Sequence, residues 1–428
     1  MRNALVWSAV VSSCLLGVLV LLRGCAEQPT VQPTPQMGIE SRFWVRVLLL
    51  NDVTECTIEV PSGFRIGPAG PDANAPMAEP AMKPLASPAK VRLADGRLVL
   101  DTIPLAGKEV VFSPETPHVF GLNGERWRGK LTLTVNPDGR SFDAVNQVPL
   151  EPYLAGVVGK EMDKDWTPAA LQAQAIAART YALFIKNRFG AKRHYDVRRT
   201  QASQVYGGVD AESPSVWDAV NRTCGRILVA PDLLLQDARP AAGIPGLFPA
   251  YYSSTCGGHT IHSEAVFGDS YGPLQGVPCP YCKDVARVRV FHWPMATFDR
   301  ATVTERLSKK YPKLAALGEI TDLAVAGESN HGSFSRLTKI RLTGATGKTD
   351  VLRGEDLRLT LDPSGREFKS TLCRIIAWGD GWAFASGRGW GHGVGMCQCG
   401  AEGMARRGHE VEAILGHYYP GAAIVNVY

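Results

Sequence analysis

Residues 148–181 read VPLEPYLAGVVGKEMDKDWTPAALQAQAIAARTY, and this stretch decides the fold. Thr167 is a fit N-cap, Pro168 stands at the first helical position, and good helix formers follow. Leu171, Ala175, Ala178, Ala182 and Ile185 recur at helical spacing, and small residues dominate. A helix so rich in alanine packs closely on its neighbours, which places it deep in the domain. A shorter helical pattern runs just upstream, from Pro152 to Met162. Glu161 stands near its end, among Val157, Val158, Met162 and Trp166. An acid in such company can have a raised pKa and stay protonated near neutral pH. The same spacing also fits a plain solvated loop glutamate.

Outward from the helices the chain turns to strands. Phe43 to Asn51 and Thr54 to Val60 have strand character, and Pro61-Ser62-Gly63 turns the chain. Residues 67–90 form a Pro/Ala-rich insert that reads as a disordered or extended loop. Short strands are expected at Val91 to Leu100, Glu109 to Phe112, Trp127 to Val135 and Phe142 to Val145. Further strands are expected at Ile320 to Val325, Leu337 to Leu342 and Asp350 to Leu352, after a helix within 293–314. The 44 glycines and 29 prolines of the 428 residues suit turns and short strands better than a helical bundle. The fold class is therefore α+β, β-rich, with a central Ala-rich helix pair carrying Glu161.

At the N-terminus, Ala4 to Leu22 is an apolar run behind a short basic start. It reads as an export signal or a membrane anchor, about long enough to span a bilayer if retained. Leu22-Arg23-Gly24-Cys25 partly matches a lipoprotein processing box, which would put a lipid on Cys25. Arg23, however, stands where such boxes prefer a small or apolar residue. The implied layout is a signal or anchor at 1–25, a Pro-spaced linker at 26–41, a β-rich region at 42–146 and a catalytic domain at 147–428. The bulk of the chain is expected outside the cytoplasm, tethered to a membrane. Net charge is only +5, with no basic run dense enough for nucleic acid.

Two motifs carry a resemblance. VPLEPYLAGVVGKEM followed by ALQAQAIAARTYAL, and the distant GRGWGHGVGMCQCGAEGMA followed by ILGHYYPGAAI, resemble the SpoIID/LytB family. Two long motifs in the right order are far more specific than one short pattern. The resemblance implies a lytic transglycosylase of bacterial peptidoglycan, or a relative described as an amidase enhancer. The implied partners are peptidoglycan glycan strands and, for the second kind, a cell-wall amidase. Glu161 aligns with the family's catalytic acid/base. Gln204 and Tyr206 fall where the family has a cleft element, although a loop packed on the helix fits them equally. Cys397 and Cys399 flank Gln398 where the family more often has Ser and an aromatic residue, so local contacts there are expected to differ.

The chemistry fits a single acid. Hydrolysis of a glycosidic bond usually needs two carboxylates, and no second one is paired with Glu161 in any motif. A transglycosylase needs no separate base, because the 6-hydroxyl of the same muramic sugar attacks. Gly387 to Gly395 holds five glycines in nine residues, which lets backbone approach a ligand or a strand closely. There Trp390 could stack on a sugar and His392 could bond substrate or orient Glu161. The alternative is a tight turn before a helix. A phosphate loop is set aside, since no Lys-Ser/Thr ending follows.

Cysteine supplies the last constellation. Cys256-x-x-His259 is followed, after nineteen residues, by Cys279-x-x-Cys282. That spacing suits a closed, structural Cys3His zinc site. A disulfide in an oxidising compartment, or free buried thiols, are the alternatives.

Overall fold

The computed structural model describes residues 39–68, 84–234, 244–332 and 334–428, and these form a mixed α+β structure. The signal or anchor read at 1–25, most of the linker at 26–41 and the larger part of the insert lie outside the described residues. Among the described residues, no helix is long and apolar enough to cross a membrane.

Two six-stranded sheets make up the β-rich region. The first runs in the order Val197–Arg198, Trp44–Val53, Phe142–Pro149, Lys130–Val135, Glu109–Pro114 and Phe64–Pro68. Its pairings are antiparallel except at Val197–Arg198. The second runs Ile103–Pro104, Arg97–Leu100, Leu85–Ala94, Glu55–Val60, Val119–Leu122 and Glu125–Arg128. Apolar positions of both sheets and of the helices meet in one core, from Phe43 and Ile58 through Tyr153 and Leu171 to Tyr206.

Two expected strands divide. The one expected at Val91 to Leu100 breaks at Asp95-Gly96, both at positive φ, and the first half begins at Leu85 within the expected loop. An Asp-Gly pair supplies the left-handed backbone of a tight hairpin. The strand expected at Trp127 to Val135 breaks at Gly129, where φ is +95° and a Cβ would lie 2.2 Å from the Gln147 carbonyl oxygen. Only glycine fits there, and it passes the chain from one sheet to the other.

The helix pair begins directly after the strand Phe142–Pro149. Helix α1 spans Leu150–Glu161 and α2 spans Pro168–Phe189. Residues 150–158 of α1 are all buried, so it has no polar stripe. Thr167 precedes α2, but its hydroxyl does not cap the helix. Its hydroxyl and backbone N–H both donate to the Glu402 carboxylate, at 2.7 and 2.9 Å. The pair is pinned internally by Arg179 of α2, which clasps Glu151 of α1 at 2.8 and 2.6 Å. Both groups are buried, and the Tyr428 hydroxyl also donates to Glu151.

Helix α3 spans Pro214–Arg222 behind a Ser213 cap. The chain continues through a helix at Arg300–Lys310 and a three-stranded sheet of Ile320–Asn330, Ser335–Gly344 and Thr349–Arg353. Helices α4 (Gly354–Leu361), α5 (Gln398–Ala405) and α6 (Val411–Tyr418) follow.

Candidate functional site

A cavity of about 560 Å³ opens at the C-terminal end of α1. Glu161 lies in its wall together with Tyr252, Trp390, His392, Gln398 and the Glu355–Arg358 pair. Three segments far apart in sequence must converge to build it, and small residues allow them to.

The first approach is onto α1 itself. A Cβ on Gly156 would lie 2.5 Å from the Tyr206 ring, and one on Gly159 would lie 1.9 Å from the Ala211 carbonyl oxygen. Glycine at both positions lets residues 206–211 lie directly on the helix. The Val205 backbone N–H then donates to the Glu161 carboxylate at 2.8 Å. The second approach is by the Gly-rich loop, which pairs with the strand at Tyr252–Ser253 through Met396–Cys397. Trp390 and Thr255 exchange backbone bonds of 2.7 and 3.1 Å. A Cβ on Gly395 would lie 1.9 Å from the Tyr251 carbonyl oxygen. This contact carries Trp390, His392 and Gln398 to the cavity.

Glu161 is held above its ordinary pKa. Burial dominates, and it is partly offset by the Val205 N–H and the Gln398 side chain, both of which favour the charged form. Glu355 is the other carboxylate among the described residues lining the cavity, and it behaves oppositely. Burial alone would raise it, but Arg358 grips it at 2.9 and 2.6 Å and holds it below its ordinary value. Glu355 is thus a committed anion with a partner. Glu161 has no salt-bridge partner among the described residues, and its raised pKa favours the protonated form.

The remaining expected site residues divide. Trp390 is half-buried in the wall, with the Lys369 ammonium 4.5 Å from its ring centre. His392 does not bond Glu161. Its Nδ1 accepts from the Val394 N–H at 3.0 Å, and burial pushes its pKa down to about 4, so it is neutral across the physiological range. Gln204 and Tyr206 stand behind the wall rather than in it. Gln204 bonds the Tyr153 and Tyr252 hydroxyls, each at 2.9 Å. Tyr206 packs at a tilt against Trp127 and Tyr153, and its hydroxyl donates to Asn146 at 3.0 Å. The residue between them contributes to the cavity through its backbone, which no side-chain pattern could signal. Tyr252 also lines the cavity, and a tyrosine in a short strand carries no distinctive sequence signal of its own.

The cysteine set also differs from the expected one. The Sγ atoms of Cys256, Cys279, Cys282 and Cys397 lie within 4.8 Å of one another, all buried. Cys397 takes the place expected for His259. His259 pairs across an antiparallel bridge with Pro278, so its side chain shares the face of Pro278 while the adjacent Cys279 turns to the other. The His259 ring stacks on His331 at 3.9 Å, and its Nδ1 bonds the Thr260 carbonyl. The Cys397-Gln398-Cys399 run was the available signal, but pairing over so long a separation is invisible to spacing rules.

Comparison with known proteins bears on this geometry directly. Residues 138–229, which include both helices, Glu161 and Val205, match the family model described as Stage II sporulation protein. An uncharacterized protein of Brachyspira hyodysenteriae is 33% identical over 73% of this chain and 76% of its own length. The stage II sporulation protein D of Bacillus subtilis is 31% identical over 69% of this chain and 82% of its own. The amidase enhancer of Bacillus subtilis is 27% identical over 78% of this chain and 50% of its own length. The chain, with its cavity built around a helix-end glutamate inside the matched region, belongs to the SpoIID/LytB family.

Proposed function

We propose that the chain is an exported lytic transglycosylase that cleaves the MurNAc–GlcNAc bond of peptidoglycan and leaves 1,6-anhydro-MurNAc ends. Membership of the family supports a role at the cell wall. One observation carries the finer reading: of the two carboxyls in the cavity wall, Glu161 alone has a raised pKa, while Glu355 is paired with Arg358.

Protonated Glu161 donates its proton to the departing glycosidic oxygen as the bond to the anomeric carbon breaks. The 2-acetamido group of the muramic sugar stabilises the positive charge that develops. Glu161, now ionised, takes the proton from the 6-hydroxyl of that sugar as its oxygen bonds to the anomeric carbon. The proton balance closes on one residue. Holding the internal nucleophile in place gives it a large entropic advantage over water. Half-buried Trp390 and neutral His392 line the same cavity and are suited to bind the glycan. The exported location rests on the apolar run at Ala4 to Leu22.

The test is mass spectrometry of fragments released from purified sacculi. 1,6-Anhydro ends support the proposal, and reducing ends refute it in favour of hydrolysis. A second reading is favoured by the amidase enhancer relative: a wall-binding module that stimulates an amidase. Sacculi left uncut by this protein, but cut faster by an added amidase in its presence, would select that reading.

A further inference from the structure

The four-thiol cluster stands apart from the cavity chemistry and has its own logic. Four sulfurs at about 2.3 Å from a central zinc, arranged tetrahedrally, stand about 3.8 Å from one another. Cys256 and Cys282 are 3.7 Å apart, and all four sulfurs lie within 4.8 Å of each other. That spread matches a shared central ion and exceeds the disulfide bond length of about 2.05 Å.

The surroundings are built for sulfur that accepts hydrogen bonds. The Cys256 backbone N–H donates to Cys397 Sγ at 3.2 Å. The Tyr418 hydroxyl lies 3.1 Å from Cys279 Sγ, close enough to donate to it. Bonds of this kind orient and stabilise thiolates around a metal.

A third observation is independent of the sulfurs. Arg336 is wholly buried on the strand Ser335–Gly344. Its Nη2 donates to the Cys256 carbonyl at 2.8 Å. Its Nε and Nη1 have no hydrogen-bond partner among the described residues. A buried guanidinium needs negative charge nearby, since burying an unpaired charge is costly; Glu355 supplies some, but its carboxylate is bonded to Arg358 and not to Arg336. Four thiolates around a divalent ion carry a net charge of about −2, which supplies such charge beside Cys256.

The geometry points to a structural zinc ion held by Cys256, Cys279, Cys282 and Cys397, with Arg336 as its buried counter-charge. His259 is not a ligand. The ion joins the turn after the Tyr252–Ser253 strand, the Cys279–Cys282 knuckle and the end of the Gly-rich loop. Cys397 directly precedes Gln398, so the ion also anchors the backbone that brings Gln398 to Glu161. Four protein ligands leave no open position, so the metal takes no part in catalysis. This inference does not rest on the reaction assigned to the cavity.

The test uses the full chain purified without added metal. Elemental analysis should find about one zinc per chain, unchanged in His259→Ala and lost in Cys397→Ala. Should Cys397→Ala fail to fold, cobalt exchanged into the parent protein gives the same information. Four thiolates produce intense sulfur-to-cobalt absorption and tetrahedral ligand-field bands. Arg336→Met should weaken zinc binding by about 10- to 100-fold, the range seen when groups around metal ligands are removed. Iron in place of zinc, metal lost in His259→Ala, a cobalt spectrum lacking tetrahedral thiolate bands, or a native disulfide among the four cysteines would each overturn the assignment. Unchanged zinc affinity in Arg336→Met would overturn the counter-charge role.

Discussion

The two ends of α1 each hold a carboxyl withdrawn from water, and they do opposite things. At the start, Glu151 is clasped by Arg179 and receives the Tyr428 hydroxyl. At the end, Glu161 meets one backbone N–H and one amide side chain. A paired charge in a low-dielectric interior holds elements together, while an unpaired carboxyl there is pushed toward its protonated form. The same residue type on the same helix is thus a fastener at one end and a carboxyl pushed toward its protonated form at the other. The difference is made by what Arg179 and Tyr428 bring to one end and what Val205 and Gln398 bring to the other.

The strongest way to break this comparison is to neutralise the second carboxyl. Glu161→Gln keeps shape and volume but cannot give up a proton. Glycan release from sacculi should fall on the order of a hundred- to ten-thousand-fold, with sacculus binding retained. Near-parental release by Glu161→Gln would show that the end of α1 is not the proton carrier.

Glu151 should fail differently. Glu151→Ala leaves Arg179 buried without its partner, a loss of about 3–5 kcal/mol that urea unfolding would measure. Glycan release per folded molecule should stay near the parent's. A stability change below about 1 kcal/mol would mean that the clasp is not a fastener.

Proton affinity sharpens the contrast further. Glu161 must start protonated, so activity should decline as pH rises through its raised pKa. The Gln398 side chain favours the charged form, so Gln398→Ala removes a lowering influence. The alkaline limb of the rate profile should move to higher pH in that variant. A shift to lower pH would contradict the assigned hydrogen bond.

The smallest expected effect is on stability. A group whose folded pKa is raised contributes stability at pH values below its unfolded pKa, and that contribution is lost as pH rises through the folded value. Glu161→Gln lacks this loss. Its melting temperature relative to the parent should therefore climb with increasing pH. A difference independent of pH would indicate that Glu161 is not penalised by burial.

Much of the site's skeleton was legible beforehand because it is local. Helical spacing, a Pro at the first position of α2 and the apolar neighbours of Glu161 lie within a few turns of one another, so α1, α2 and the candidate acid could be read directly. Trp390, His392 and Gln398 also reached the cavity wall, since their loop's glycines announced a close approach. The edges of strands were harder. Asp95-Gly96 and Gly129 break apolar runs that composition alone leaves continuous, because backbone handedness, and not hydrophobicity, ends those strands.

The sequence by itself determined that this chain has two buried helices, a glutamate at the end of one and a glycine-rich loop late in the chain. Only the tertiary structure decided which groups those parts meet. Cross-strand pairing with Pro278 turns His259 away from the thiols, and Cys397 arrives from 141 positions beyond Cys256 to complete them. Packing on Gly156 sends Tyr206 into the core and leaves the Val205 N–H to meet Glu161. Local periodicity constrains neighbours on one element, whereas a site is made by contacts between elements, and those are set by how the whole core closes.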